Sequence, residues 1–409
     1  MNKKKIINDP VYGFITVPSD LLYDIIEHPY FQRLRRIKQL GLTEMVYPGA
    51  LHTRFHHALG AMHLMSMALD TLRSKNNEIY DNEYEASLIA ILLHDIGHGP
   101  FSHALETAIF KEVHHEHLSL HIMQMLNKEF GGRLNLAMQI FTGTYHRKFF
   151  HQLVSSQLDV DRLDYLNRDS FYTGVYEGKI GADRLIKMLD VANDQLVVEE
   201  KAIYSIENFL VSRRLMYWQV YLHKTVISAE NMVLRTVQRA RELVQAGVEV
   251  PGSPCLLYFL ASDLTLENFE TDQRILERFI ALDDHDVWSG IKLWASHSDR
   301  TLSFLSTNIL NRRLFKVIIS SKPFEEEFLL GISELVQEHY KISAGEVKYL
   351  MISGKISNNA YQAEGQSIDV LTKAGYVVDV ADASDLPNIR ALRDKVEKYY
   401  ICYPKEVAH

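Results

Sequence analysis

The segment ASLIAILLHDIGHGPFSH, residues 86–103, constrains the fold and the chemistry of this chain more than any other. Ser87 is the only polar residue in its first eight positions, so we expect a helix that is buried on nearly all sides. An adjacent His94–Asp95 pair ends this apolar run. Because an unpaired buried charge is costly, the pair needs either a hydrogen-bonded partner in the core or a bound metal cation.

The composition is that of an ordinary soluble globular protein, with 409 residues, 47% hydrophobic and 23% charged. Cys255 and Cys402 are the only cysteines, which excludes a disulfide framework and a thiolate zinc site. The net charge of −8 argues against a protein that coats nucleic acid. We see neither a signal peptide nor an apolar stretch of roughly 18 residues that could cross a membrane, so we expect a cytoplasmic protein.

Helical periodicity dominates the chain up to about residue 314, with a short hairpin near residues 194–205. A long helical run extends from about Glu207 to Ala246, with neither glycine nor proline inside it. After residue 314 the pattern becomes strand-like, interrupted by helical segments near residues 324–340 and 387–398. The sequence therefore predicts a mostly α protein with a smaller C-terminal α+β unit. The two predicted units are residues 1–314 and 315–409.

Histidines are concentrated in one part of the chain, because 11 of the 19 lie between His52 and His121. On a helix, His98 lies on the same side as His94 and Asp95, at offsets of four and three. Glycines and a proline then let the chain turn and bring His103 back toward the same place.

Two further predicted helices supply partners for this group. The first begins with His56 and His57, and the second carries Asp161, Asp164 and Asp169, which can share one face. Imidazoles and carboxylates make a mixed nitrogen and oxygen site that suits Mn, Fe, Co, Ni, Zn or Mg and does not select among them. For each histidine alone, a hydrogen-bonded core residue remains the simpler interpretation.

The order His57, His94–Asp95, Asp161 resembles the metal-binding pattern of the HD-domain phosphohydrolases. The flanking segments are more closely similar to one branch, the deoxynucleoside triphosphate triphosphohydrolases (dNTPases and dGTPases), which includes the SAM-and-HD-domain enzymes. The similarity spans roughly residues 5–240 and implies an HD-type helical bundle. Its segments are NDPVYG (8–13), FQRLRRIKQLG (31–41), YPGALHTRFHHALG (47–60), HDIGHGPFSH (94–103), HHEHLS (114–119), LDVDRLDYLNRDS (158–170) and YLHK (221–224).

The resemblance implies that water attacks the α-phosphorus of a dNTP and that deoxynucleoside and inorganic triphosphate are released. The implied ligands of a divalent metal ion are His57, His94, Asp95 and Asp161. The implied catalytic group comprises His103 as general acid, together with His115, His98 and Glu116. The implied substrate-binding residues are Gln39, Leu40, Arg54, Arg162, Tyr165, Asp169, Arg213, Tyr221 and Lys224.

The same resemblance implies a homo-oligomer, a dimer or a tetramer, with a nucleotide effector site between its subunits. The matching positions are Lys5, Asn8, Gln32 and Arg35. The alternative interpretation is that this basic segment only packs the fold. For residues 315–409, packing or subunit assembly is the expected role.

Two other functions remain open from the sequence. The same metal site would serve a phosphodiesterase, a nucleotidase or a nuclease, although the acidic net charge disfavours the nuclease. A non-catalytic nucleotide sensor would keep the fold without turnover. Product analysis distinguishes all three.

Overall fold

The computed structural model describes residues 5–101, 113–358, 361, 367–386, 389 and 392–407. Within these ranges, no helix combines the length and the apolar character needed to cross a bilayer. The helices of the first 314 residues are α1 (Asp20–Glu27), α2 (Pro29–Gln32), α3 (Arg54–Ser74), α4 (Asp81–Leu93), α5 (His115–Glu129), α6 (Asn135–Phe141), α7 (Lys148–Val154), α8 (Val160–Thr173), α9 (Ala182–Lys187), α10 (Ile203–Met216), α11 (Lys224–Gln245), α12 (Pro254–Ala261), α13 (Leu266–Thr271), α14 (Gln273–Ala281), α15 (Asp284–Trp294) and α16 (Arg300–Leu310).

The strands that the structure describes form three small sheets. The later helices are α17 (Glu326–Tyr340), α18 (Val347–Leu350) and α19 (Val380–Ala383). The strands are β1 (Lys5–Asp9), β2 (Gly13–Val17), β3 (Leu189–Ala192), β4 (Gln195–Glu199), β5 (Lys316–Ser320), β6 (Ile352–Asn358), β7 (Asp369–Leu371), β8 (Val377–Asp379) and β9 (Val396–Tyr403). The mostly α architecture with a C-terminal α+β portion is confirmed.

Helix α4 lies at the centre of the helical core, as its apolar sequence predicts. Every residue from 86 to 93 is buried, and the helix ends directly before His94. Helix α3 packs against both α4 and α8. The crossing with α8 requires Gly60, because a β-carbon there would lie 2.0 Å from Asp164 Oδ1 and 2.1 Å from Arg168 Nη2.

The long helical run predicted from Glu207 to Ala246 is interrupted in the structure. Helix α10 passes into a π-helical turn at Tyr217–Tyr221, and α11 starts again at Lys224, where the side chain of His223 accepts the Thr225 N–H. Prediction of one continuous helix was wrong because the break contains neither glycine nor proline. Turns of the π type are frequent at functional sites.

The predicted hairpin near residues 194–205 exists but is displaced toward the N-terminus. Strands β3 and β4 are antiparallel, and the turn residues Asn193 and Asp194 both have positive φ angles, 51° and 62°. Two such residues match the twist of a tight hairpin. Residues 203–205 belong instead to α10.

Residues after 314 contribute to two sheets, ordered β5-β9-β6 and β3-β4-β7-β8. Strand β7 pairs in parallel with β4, so the second sheet joins segments from both predicted units. The predicted helix near residues 324–340 is confirmed as α17. The predicted helix near residues 387–398 is wrong at its C-terminal end, because Val396 begins β9, which pairs on both sides with β5 and β6.

Candidate metal centre and active site

Three side chains from three separate elements converge at the centre of the helical core. His57 lies in the first turn of α3, His94 follows α4, and Asp161 lies in the first turn of α8. One ligand atom from each lies within 4.8 Å of the others. Asp161 Oδ1 is 3.0 Å from His57 Nε2 and 3.5 Å from His94 Nε2. This is the group that can hold a metal ion.

The hydrogen bonds behind the two imidazoles direct their Nε2 atoms toward the centre of this group. His57 Nδ1 donates to Asp164 Oδ2 at 2.7 Å, and His94 Nδ1 donates to the Ile91 carbonyl at 2.6 Å. In the neutral tautomers Nε2 then carries the lone pair. Both Nε2 atoms are buried without a hydrogen-bond partner although Asp161 is close, which suits a shared cation.

The protonation energetics show the same need for positive charge. Burial alone would lower the pKa of His57, but the neighbouring carboxylates of Asp161 and Asp164 raise it to about 10. Burial would raise the pKa of Asp161, but His57 and His94 lower it well below its usual range. A divalent cation satisfies the carboxylate and both lone pairs at once.

Asp95, the fourth predicted metal ligand, lies beside this group rather than inside it. Its Oδ1 is 3.4 Å from His94 Nε2, and its Oδ2 is 3.9 Å from His57 Nε2. Arg54 forms an ion pair with Asp95 Oδ2. Burial would raise the pKa of Asp95, but the charges of His94, His98 and Arg54 lower it, so the carboxylate stays ionised. Its role as a ligand stays a prediction.

A buried chain of ion pairs supports His57 from behind. Asp164 accepts from Arg168 Nε at 3.0 Å and from Arg168 Nη2 at 2.9 Å. Arg168 Nη1 also donates to Asp9 Oδ2 at 2.7 Å, and Asp9 Oδ1 accepts the N–H groups of Val11 and Tyr12 in the turn of the N-terminal hairpin. The orientation of a metal ligand is therefore connected to the β1–β2 turn.

Two of the predicted catalytic histidines stack on each other next to Asp95. The rings of His98 and His115 have centroids 3.8 Å apart and an interplanar angle of 27°. Gly97 permits this approach, because a β-carbon there would lie 2.3 Å from both the carbonyl oxygen of His115 and the amide nitrogen of Ser119. Ser119 Oγ also accepts the Gly97 N–H at 2.9 Å and donates to the His94 carbonyl at 2.8 Å.

A cavity of about 550 Å³ opens beside the metal group. It contains eight of the nine predicted substrate-binding residues, together with His98, His115, Asp95 and Asp161. Lys224 and Glu116 are exposed and are not among its lining residues. His103 lies outside the described residues. The lining residues are Gln39, Leu40, Gly41, Thr43, Arg54, Asp95, His98, Phe101, His115, Asp161, Arg162, Tyr165, Asp169, Arg213, Tyr217, Tyr221 and Glu230.

Asp169 is a carboxylate of the cavity lining whose two oxygens both accept hydrogen bonds. Its Oδ1 accepts from His52 Nε2 at 2.7 Å, and its Oδ2 accepts from the Tyr221 hydroxyl at 2.7 Å. His52 stacks on Tyr172 with ring centroids 4.5 Å apart. The ring of Tyr165 meets that of Tyr221 edge to face at 6.2 Å.

Three of the residues that line the cavity are arginines. Arg54 is paired with Asp95, Arg162 with Asp159 at the start of α8, and Arg213 Nη1 donates to Gln157 Oε1 at 3.1 Å. The anchored guanidinium groups are suited to bind phosphate oxygens through charge-assisted hydrogen bonds.

Sequence reasoning missed Gly41, Thr43, Phe101, Tyr217 and Glu230 among the lining residues. A signal was present for Tyr217, because Arg213, Tyr217 and Tyr221 recur at every fourth position and so share one helical face. Phe101 and Glu230 carry no comparable local signal.

The predicted effector residues lie within the first 35 residues of the chain. Lys5 packs over the ring of Tyr23 at 3.9 Å, and Asn8 is exposed on β1. Arg35 Nε donates to Gln32 Oε1 at 2.8 Å. The guanidinium of Arg35 also stacks on Phe55, the residue after Arg54, at 3.6 Å.

Two family models match the chain. The model described as HD domain matches residues 54–169, and the HD associated region matches residues 180–249. The first range contains the metal group, His98, His115 and Asp169, and the second contains Arg213 and the π-helical turn.

Known relatives cover the whole chain. The uncharacterised protein YwfO of Bacillus subtilis is 32% identical over 100% of this chain and 94% of its own length. A crystal structure of a phosphohydrolase from Bacteroides thetaiotaomicron is 54% identical, with a TM-score of 0.95, and covers 98% of this chain and 100% of the other. The chain therefore belongs to the HD-domain phosphohydrolases and is a hydrolase.

Within this family the chain resembles one branch in particular. A Dictyostelium discoideum protein named deoxynucleoside triphosphate triphosphohydrolase SAMHD1 homolog is 33% identical over 66% of this chain. That match spans 55% of the Dictyostelium protein. The likeness to the dNTP triphosphohydrolase branch is thereby confirmed, and metal dependence follows from the HD domain.

Proposed function

We propose that the protein hydrolyses deoxynucleoside triphosphates to deoxynucleoside and inorganic triphosphate. One observation carries this proposal: a single cavity is lined by Asp161 of the metal group, by three arginines, and by the anchored Asp169 with Tyr165 and Tyr221. Its volume, about 550 Å³, is in the range of nucleotide-sized ligands. The named dNTP triphosphohydrolase relatives favour the same substrate class.

The polar groups of the cavity divide the substrate between them. Arg54, Arg162 and Arg213 bind oxygens of the triphosphate. Asp169 accepts the sugar 3′-hydroxyl, because an ionised carboxylate has about four acceptor positions and His52 and Tyr221 use only two of them. Tyr165 and Tyr221 pack against the sugar, where close contact excludes a 2′-hydroxyl.

Hydrolysis at the α-phosphorus needs an activated water and a proton for the departing 5′-oxygen. His57, His94 and Asp161, with Asp95 beside them, would hold a divalent cation, which would make hydroxide available near neutral pH and would stabilise charge on phosphate oxygens. The leaving alkoxide is a strong base, so a proton donor contributes about 10²–10⁴-fold. His115, stacked on His98, and His103 are the candidate donors.

The test is product analysis with isotopically labelled water. The protein is incubated with the four dNTPs, the four NTPs, cyclic nucleotides and bis(4-nitrophenyl) phosphate, in the presence of Mn, Fe, Co, Ni, Zn or Mg. We expect deoxynucleoside and triphosphate from dNTPs, with ¹⁸O from water in the triphosphate. Asp161→Ala should be inactive, and Asp272→Ala, outside the cavity, should match the wild type.

Other products would contradict the proposal. Nucleoside monophosphates would indicate a pyrophosphohydrolase, and cleavage of only the cyclic or aryl esters would indicate a phosphodiesterase. Binding without any product from metal-loaded protein would indicate a nucleotide sensor.

Regulation by a second nucleotide at Lys5, Asn8, Gln32 and Arg35, in a homo-oligomer, is part of the same proposal. Arg35 stacks on Phe55, the residue that follows Arg54 of the cavity, and this contact supports a connection between the two sites. Hydrolysis of one dNTP is measured with and without dGTP, together with the molar mass in solution. If dGTP changes neither the rate nor the oligomeric state, the effector site is refuted.

A further inference from the structure

The first turn of helix α15 contacts two loops that form one wall of the cavity. Asp284 is buried, with 3% of its surface exposed. Its Oδ2 accepts the backbone N–H of Lys38 at 2.9 Å, and its Oδ1 accepts the backbone N–H of Phe101 at 2.9 Å. Lys38 directly precedes Gln39, and both Gln39 and Phe101 line the cavity. One carboxylate thus joins two segments of this wall that are distant in sequence.

The backbone at Phe101 needs such support. Its φ angle is +52°, in the left-handed region that bulky residues rarely adopt, and the residue is buried. A conformation of this kind persists only where surrounding contacts impose it. Helix α15 supplies two of them, the carboxylate of Asp284 and the ring of Trp288, whose centroid lies 5.7 Å from that of Phe101.

A second buried residue, Arg33, makes hydrogen bonds close to these contacts in sequence. Arg33 Nε donates to the carbonyl of Leu282 at 2.9 Å, and Arg33 Nη1 donates to the carbonyl of Ile96 at 3.4 Å. Residues 282–284 therefore accept hydrogen bonds from Arg33, Lys38 and Phe101. Asp283 is the N-cap of α15 and pairs with Arg36, so the helix start is itself anchored.

We propose that Asp284 is a positioning residue of this hydrolase. It holds the Gln39 loop and the turn at Phe101 in the arrangement that binds substrate, and Phe101 leads directly into the segment that carries His103. Asp284 does not line the cavity and lies outside both ranges matched by the family models, 54–169 and 180–249. The proposal depends on the proposed function only for the choice of the dNTP substrate.

The experiment compares Asp284→Ala with Asp272→Ala. Asp272 also lies at the start of a helix, where it pairs with the nearby Arg274. Hydrogen–deuterium exchange is followed in peptides covering residues 37–41 and 97–101. In Asp284→Ala we expect the amides of Lys38 and Phe101 to exchange at least about tenfold faster, and kcat/KM to fall about 10- to 100-fold because the wall is displaced. Bound metal should stay unchanged, as it should in the control.

If the alanine variant does not fold, Asp284→Asn serves as the second variant. Asparagine keeps the volume but offers one acceptor oxygen, so one of the two peptides should lose protection and the other should keep it. Turnover is measured with each phosphate ester that the wild type hydrolyses, so a failure to hydrolyse dNTPs rejects the proposed function without deciding this inference. Unchanged exchange in a folded variant, or faster exchange with unchanged kcat/KM, overturns the positioning role.

Discussion

Replacement of Asp164 by asparagine tests how the protein holds its metal ligands. Asp164 is fully buried and receives three hydrogen bonds, at 2.7 Å from His57 Nδ1 and at 3.0 and 2.9 Å from Arg168. Asparagine removes the negative charge and offers one acceptor oxygen, so His57 or Arg168 loses its partner. The other interaction of Arg168, with Asp9, remains.

The expected size of the effect follows from burial. Removal of one partner from a buried ion pair destabilises a protein by about 3–5 kcal/mol. Loss of the hydrogen bond that orients a metal-ligating histidine lowers metal affinity by about 10- to 100-fold. We therefore expect Asp164→Asn to lower both the free energy of unfolding and the affinity for Mn²⁺.

The assay separates these two effects. Unfolding is measured by urea titration, and Mn²⁺ affinity is measured by calorimetry at a temperature where the variant is folded. The matched control is Asp299→Asn, which breaks another carboxylate–arginine pair, with Arg239 at 2.5 Å, outside the metal site. The control should lose stability only. Wild-type Mn²⁺ affinity in Asp164→Asn would refute the role of Asp164 in holding His57.

Further predictions concern the loops around the cavity. Gly97→Ala should lower kcat about 10- to 100-fold with metal content unchanged, because the added β-carbon would lie 2.3 Å from backbone atoms of α5. A wild-type kcat would contradict the need for a glycine where this loop packs against α5. Burial raises the pKa of Asp284 to about 6, against the lowering effects of the Lys38 and Phe101 amides and the Lys38 charge, while Asp283 raises it further. Above that pH the carboxylate accepts both amides, so their exchange, corrected for intrinsic rates, should speed up as pH falls through about 6, and Asp284→Asn should show no such step. Gly60→Ala should displace the Asp164–Arg168 pair and weaken Mn²⁺ binding, and unchanged affinity would show that α3 and α8 can separate without cost.

The metal group could be predicted from sequence because its parts lie in motifs with a recognisable order. His57, His94 and Asp161 each fall at the end or the first turn of a helix, and helical spacing places them on inward faces. The buried helix α4 follows from composition alone. The chain of Asp164, Arg168 and Asp9 could not be predicted, since nothing local to Asp9 shows which helix the hairpin covers.

Other features depend on contacts between distant segments. Asp284 looks like an ordinary residue at a helix start, because its partners Lys38 and Phe101 are far away in sequence. The end of the predicted helix at residues 387–398 became strand β9 because β5 and β6 supply ladder partners on both sides. Long-range pairing of this kind overrides local helical propensity.

The most direct test of the central claim is anomalous diffraction from crystals grown with Mn²⁺. The account predicts one strong anomalous peak from a Mn²⁺ ion bound by His57 Nε2, His94 Nε2 and an Asp161 oxygen. This peak should be lost in Asp161→Ala crystals of the same form. The account would be contradicted if no peak lay among these three side chains at saturating Mn²⁺. It would also be contradicted if the Mn²⁺ ion were bound elsewhere in a protein with full hydrolytic activity.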